Sequence, residues 1–186
     1  EQYWLWLHAL RELSAKSLHQ LLAAFGTPER IFYAEKKALC AACDLNSKEL
    51  AELLRHDLRK AKGIAAQCRE KNIHILTMDM PGYPELLRSI PDPPPVLYYI
   101  GTLPDFDHAL TVAVVGHRQP SHHGYLTARK IGLGLSQTGV IVVSGAAKGI
   151  DAAAMEGALY GGSPVVAVLG CGVDIVYPRE SRRLLE

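Results

Sequence analysis

The sequence predicts an α/β fold in two parts, a small all-α N-terminal domain followed by a parallel sheet. Three observations predict it. Leucines recur at helical spacing from Leu5 to Leu58. Two proline-rich stretches then forbid regular structure. Beyond them, three short apolar runs each lead into a glycine-bearing loop, a strand-loop-helix rhythm that calls for parallel pairing.

Composition bounds the reading. A chain of 186 residues suits one large or two small domains. Hydrophobic residues at 48% against 21% charged are enough for a packed core. A net charge of only +1 cannot drive polyanion binding in bulk, so any such binding needs a local basic pocket. No apolar run reaches the roughly 18 residues of a membrane span, and no signal peptide opens the chain. The first residue, Glu1, reads as following a missing native start. Four cysteines without a dense framework suit a reducing cytoplasm.

Residues 1–71 read as the helical domain. Leu5, Leu7, Leu10, Leu13, Leu18, Leu21 and Leu22 mark its first helices. Ser14 and Ser47 are expected N-caps. Gly26-Thr27-Pro28 breaks the pattern. One long helix is expected from Asn46-Ser47 to about Lys71, burying Leu50, Leu53, Leu54, Leu58, Ala61, Ile64, Ala65 and Cys68. Residues 72–186 read as the second domain. Asn72 to Leu76 and Val96 to Ile100 are strand candidates. Between them lie Pro81-Gly82-Tyr83-Pro84 and Pro91-Asp92-Pro93-Pro94-Pro95. A proline-rich ligand for a partner is the weaker reading, because apolar strands flank the prolines.

Thr111 to Val115 reads as a strand covered on both faces. A helix from Ser121 to Gln137 follows, ended by Gly139. Val140 to Val143 is the second strand, Asp151 to Tyr160 the second helix and Val165 to Leu169 the third strand. Gly161-Gly162 can take the positive φ of a helix terminus. Such a Rossmann-like parallel sheet gathers its loops at one carboxyl edge, where ligands bind. Loop one is Gly116 to Ser121, loop two Ser144 to Asp151, and loop three runs from Gly170 to Pro178 and leads into Arg179. Glycines allow close backbone approach, helix N-termini attract anions, and Arg118 and Lys148 add positive charge. The combination predicts a phosphate-bearing ligand. Against it stands the simpler reading that the glycines only make tight turns. A dinucleotide site fits less well, since G-x-G-x-x-G is missing and Ser144-Gly145 ends the second strand where a carboxylate is needed. G-x-x-x-x-G-K-[ST] is missing as well.

Three blocks carry a family resemblance: Gly116-His117-Arg118, the stretch Ser144 to Asp151, and the stretch Ala167 to Pro178. In order and spacing they resemble the DNA-processing protein A family (DprA, also called Smf). Pro81 through Tyr98 is similar to the family's approach to its Rossmann domain, and the N-terminal helices are similar to its sterile-alpha-motif-like domain. The resemblance implies a cytoplasmic bacterial protein of natural transformation that binds single-stranded DNA and loads the RecA recombinase. It implies no catalytic residue, no metal and no cofactor. It also implies a homodimer of the complete protein, and Arg118 and Lys148 as pocket residues. The expected DNA- and phosphate-binding set is Gly116, His117, Arg118, Ser144, Gly145, Lys148, Gly149, Gly170 and Gly172. His117 stands where the family commonly has a small hydroxyl residue; it either crowds the phosphate or, protonated, contacts it. Met155 stands where the family often has histidine. Family members continue past the position of Glu186 through strands that complete the sheet and supply dimer and RecA surfaces, so the second domain reads as truncated at its C-terminal end.

Other constellations weigh less. Cys40-Ala41-Ala42-Cys43 has zinc-pair spacing, but Cys68 and Cys171 stand alone, so small buried hydrophobes are expected. His117, His122 and His123 cluster without a carboxylate, which favours phosphate or solvent over metal. Asp151 reads as a helix cap and Asp174 as a turn residue rather than catalytic acids. Trp4 and Trp6 read as core rather than base-stacking surfaces. The rival function is a nucleotide-binding enzyme of phosphoribohydrolase type, but the P-G-G-x-G-T signature and its acidic partner are missing. A remnant that only mediates protein contacts is a third reading.

Overall fold

The structure is a computed structural model describing residues 1–185. Glu186, where the expected third helix is cut, lies outside the described residues. The chain forms two units, Glu1–Ile100 and Gly101–Glu186.

Six helices build most of the first unit: α1 (Gln2–His8), α2 (Ala15–Phe25), α3 (Pro28–Phe32), α4 (Lys36–Ala42), α5 (Ser47–Leu53) and α6 (Arg59–Glu70). Trp4, Leu5, Trp6 and Leu7 of α1 are all buried, with Leu21, Ile31, Leu39 and Leu53 in the same core. The Trp6 ring meets Phe32 edge-on at 4.9 Å. Both tryptophans are thus core residues. The Ser14 side chain caps α2 by accepting from the Ser17 amide at 3.1 Å.

The expected long helix is two helices. After α5 the chain turns through His56 at φ +47°. Asp57 then restarts the path by accepting from the Arg59 amide at 2.9 Å. The apolar stripe survives this break: Leu53, Ala61 and Cys68 are buried, and Leu50, Leu54, Leu58, Ile64 and Ala65 pack against the same core. Asn46, not Ser47, is the cap of α5. Its side chain accepts from the Glu49 amide while Glu49 accepts from the Asn46 amide, a reciprocal capping box.

Strands β1 (His74–Thr77) and β2 (Val96–Tyr99) pair antiparallel with each other, His74 opposite Tyr99. Val96 lies in the helical core, and Ile75 and Tyr98 pack against it. The division therefore falls at Ile100/Gly101 rather than at 71/72, because the hairpin's apolar face belongs to the helices. Between the strands runs the short helix α7 (Glu85–Arg88). Tyr83 is buried and donates to the Pro94 carbonyl at 2.7 Å. Pro93 is buried and the Pro95 carbonyl accepts from Met78. The prolines are fastened to their own hairpin.

In the second unit, β3 (Thr111–Ala113), α8 (His122–Gln137), β4 (Ile141–Ser144), α9 (Ile150–Leu159) and β5 (Val165–Ala167) follow in order. The sheet order is β3-β4-β5, all parallel, with Val112 opposite Val142 and Val143 opposite Val166. A 3₁₀ turn (Arg179–Ser181) and α10 (Arg182–Leu185) close the described chain. Helix α8 starts at its Ser121 cap, and Gly139 takes φ +86° beyond its end. Helices α8 and α9 touch closely because Gly132 and Gly157 leave room for the carbonyls of Ala154 and Arg129 where a Cβ would stand. Strand β3 is exposed along its length, not covered on both faces. It is an edge strand, and both helices pack on β4.

Candidate phosphate-binding site

At the carboxyl edge of the sheet, hydrogen bonds lock the strand ends before any ligand could. The buried Ser144 hydroxyl donates to the Val114 carbonyl at 2.6 Å, and the Ser144 carbonyl accepts from Val168 at 2.8 Å. This one residue ties the mouths of all three strands. Loop two then passes over loop one at Gly149, whose φ is +95°. A Cβ there would run into the His117 carbonyl and lie 2.9 Å from Arg118 Cα. Only glycine permits that crossing.

Asp151 is the centre of the arrangement. It does not cap α9, whose N-cap is Gly149. Its carboxylate is buried and reaches back, accepting from the Gly116 amide at 3.1 Å and the Gly145 amide at 3.2 Å. The amides that sequence reasoning offers to a phosphate are therefore turned onto the protein's own anion. The Ile150 amide is likewise used, donating to the His117 carbonyl at 3.2 Å.

A cavity of about 800 Å³ opens beside this knot. Arg118 of loop one, Gly145 and Lys148 of loop two, and Gly170, Tyr177 and Arg179 around loop three line it. Arg118, Lys148 and Arg179 are exposed. None of the three side chains has a hydrogen-bond or ion-pair partner among the described residues. Glu180 is the one acid on the lining. Three cations against one carboxylate make the wall attractive to an anion. A Cβ at Gly170 would meet only open space. Loop three is anchored to loop two where the buried Ser181 hydroxyl donates to the Ala146 carbonyl at 2.8 Å.

Of the expected site residues, the structure brings Arg118, Gly145, Lys148 and Gly170 to the cavity. Gly116, Ser144 and Gly149 hold the loops together instead. His117 folds onto its own loop, with Nδ1 3.0 Å from the Gln119 amide and 2.9 Å from its carbonyl oxygen. Gly172 accepts from the Ile175 amide in a turn, and Asp174 lies 2.7 Å from where its Cβ would be. Met155 is buried in α9. Tyr177 and Arg179 lie outside the expected set; the signals for them are that Tyr177 falls within loop three and that this loop leads directly into Arg179. Cys43 is buried, with its thiol 3.2 Å from Gln20 Oε1, while Cys40 is exposed. No group of three possible metal ligands occurs among the described residues, and no helix among them is long and apolar enough to cross a membrane.

Comparison with known proteins finds relatives over the whole chain. Residues 74–186 match the family described as DNA recombination-mediator protein A. The protein Smf of Synechocystis is 36% identical over 194 aligned residues, covering 100% of this chain and 48% of the relative. DNA processing protein A of Streptococcus pneumoniae, solved by crystallography, superposes with a TM-score of 0.78 at 27% identity, over 100% of this chain and 63% of that one. A structure of DNA processing protein A from Helicobacter pylori, described as giving insight into its single-stranded DNA binding mode, matches with a TM-score of 0.54 at 27% identity. It covers 61% of this chain and 49% of its own. The chain thus spans about half the length of the Synechocystis relative.

Proposed function

Because this chain belongs to the DNA recombination-mediator protein A family, we propose that it binds single-stranded DNA by the phosphate backbone, in the cavity between its sheet-edge loops. One observation carries the reading: Arg118 and Lys148, from different loops, face one cavity with no intramolecular partner among the described residues. Arg118 offers a planar fork for two phosphate oxygens, and Lys148 a compact charge. The Helicobacter pylori relative, described by its single-stranded DNA binding, supports the choice of ligand.

The protein acts without catalysis in this reading. Asp151, the buried carboxylate beside the cavity, is taken up by two backbone amides rather than held free for acid–base work. In the complete protein the bound strand passes to the RecA recombinase during natural transformation in the cytoplasm. The rest of the polypeptide supplies the recombinase and homodimer surfaces.

Fluorescence anisotropy with single-stranded and duplex oligonucleotides at two salt concentrations tests the core of this reading. Tighter binding of the single strand, weakened by salt, is expected. Absence of binding together with nucleotide turnover would favour the enzyme reading. RecA filament formation should be stimulated more by the complete protein than by this span; equal stimulation would show that the distal region adds no partner contact.

A further inference from the structure

We propose that Tyr177 is a stacking platform for an unpaired nucleobase, set beside the phosphate that Arg118 and Lys148 hold. The proposal rests on the single-stranded DNA reading and adds a base contact to it. Single exposed aromatics are ordinary on protein surfaces; three features set this one apart.

The first is place. Tyr177 lines the same cavity as Arg118, Lys148 and Arg179 while remaining 66% exposed. Ring and cations on one wall are what a nucleotide with a free base needs, a π face next to an anion. The second is availability. Tyr33 is 68% exposed but has ring contacts with Tyr3 and Phe32. Tyr160 is 74% exposed but lies beneath the Arg129 guanidinium at 5.5 Å. Tyr177 has no hydrogen bond or ring partner among the described residues. The third is a fixed backbone. On one side the Ile175 amide donates to Gly172; on the other the Ser181 hydroxyl is held by Ala146. With the loop backbone held on both sides, only the ring's own rotamer is left to order when a base settles on it. In a duplex the base faces are hidden, so the tyrosine favours single strands.

The test compares an oligothymidine with an abasic strand of the same length, which keeps the phosphates and lacks the bases. Y177A should weaken oligothymidine binding by about 5- to 150-fold, the range for losing one stacked base. It should leave abasic-strand binding and the salt slope unchanged, since no phosphate contact is lost. Y177F should bind like the wild type, because the ring suffices. R118A should weaken both strands. If Y177A does not fold, Y177L carries the same comparison. Unchanged oligothymidine affinity in Y177A, or an equal loss on both strands, would overturn the proposal. R118A-sensitive binding with a silent Y177A removes the tyrosine alone; a wild-type chain that binds neither strand removes the DNA reading with it.

Discussion

At the residue scale, the two loop cations and the buried carboxylate have opposite duties. Arg118 and Lys148 are exposed and unpartnered among the described residues, so their removal leaves the fold intact. R118A and K148A should each lower single-stranded DNA affinity roughly tenfold or somewhat more, from about 1.5–3 kcal/mol per charge-assisted bond. Arg118 should matter more, because its fork binds two oxygens. The losses should be alike across base sequences, since phosphate contacts do not read bases. Unchanged affinity in both mutants, measured by anisotropy, would move the DNA surface elsewhere. Asp151 behaves differently. In D151N one amide oxygen can still accept from Gly116 or Gly145, but the new NH₂ faces the other N–H. Two opposed donors in a buried site should cost about 1–3 kcal/mol, read from urea denaturation. DNA binding should fall as well, because the carboxylate fixes the spacing of loops one and two.

At the element scale, legibility followed how local the determinant was. The parallel order of β3, β4 and β5 was readable because each strand, loop and helix announces itself within about twenty residues. The cap at Ser14 and the start of α8 were readable for the same reason. The break between α5 and α6 was not. Leu50 to Cys68 keeps one helical stripe on both sides of it, and no glycine or proline marks His56. The role of Asp151 was missed because its partners Gly116 and Gly145 lie on other loops, a tertiary contact with no local signature. Tyr177 was missed because an aromatic in a loop is unremarkable until cations gather around it. The start of α5 gives a test at this scale. Burial alone would raise the Glu49 carboxyl, but the amides of Asn46 and Ser14 and the Ser17 hydroxyl outweigh it and hold it down at about 2. A carboxylate held below its unfolded value near 4.3 contributes stability above that value and loses it as pH falls through the folded one. E49Q should therefore be less stable than wild type at neutral pH by about 1–3 kcal/mol. The difference should shrink between about pH 4.5 and pH 2. A gap in urea midpoints that persists at pH 2 would show that Glu49 acts through shape rather than charge.

At the scale of the whole molecule, charge decides what kind of DNA binding is open to the chain. Twenty basic residues against nineteen acidic leave a net charge of +1, so bulk charge cannot draw in a polyanion and a local basic pocket has to. The cavity wall supplies such a pocket, where Arg118, Lys148 and Arg179 stand together. Counterion release then bounds the salt dependence. Each phosphate neutralised on a single strand contributes about −0.7 to the slope of log K against log salt. Three such contacts give a slope of about −2, so affinity should fall roughly twenty-fold between about 50 and 200 mM salt. R118A should bring the slope to about −1.4, and R118A combined with K148A to about −0.7. The slope is the sharper observable, because it counts contacts whatever each contributes to affinity. Anisotropy titrations across four or five salt concentrations would measure it. A wild-type slope steeper than about −4 would require about six neutralised phosphates or more. The three cavity cations cannot supply that number, so the strand would have to run well beyond the cavity.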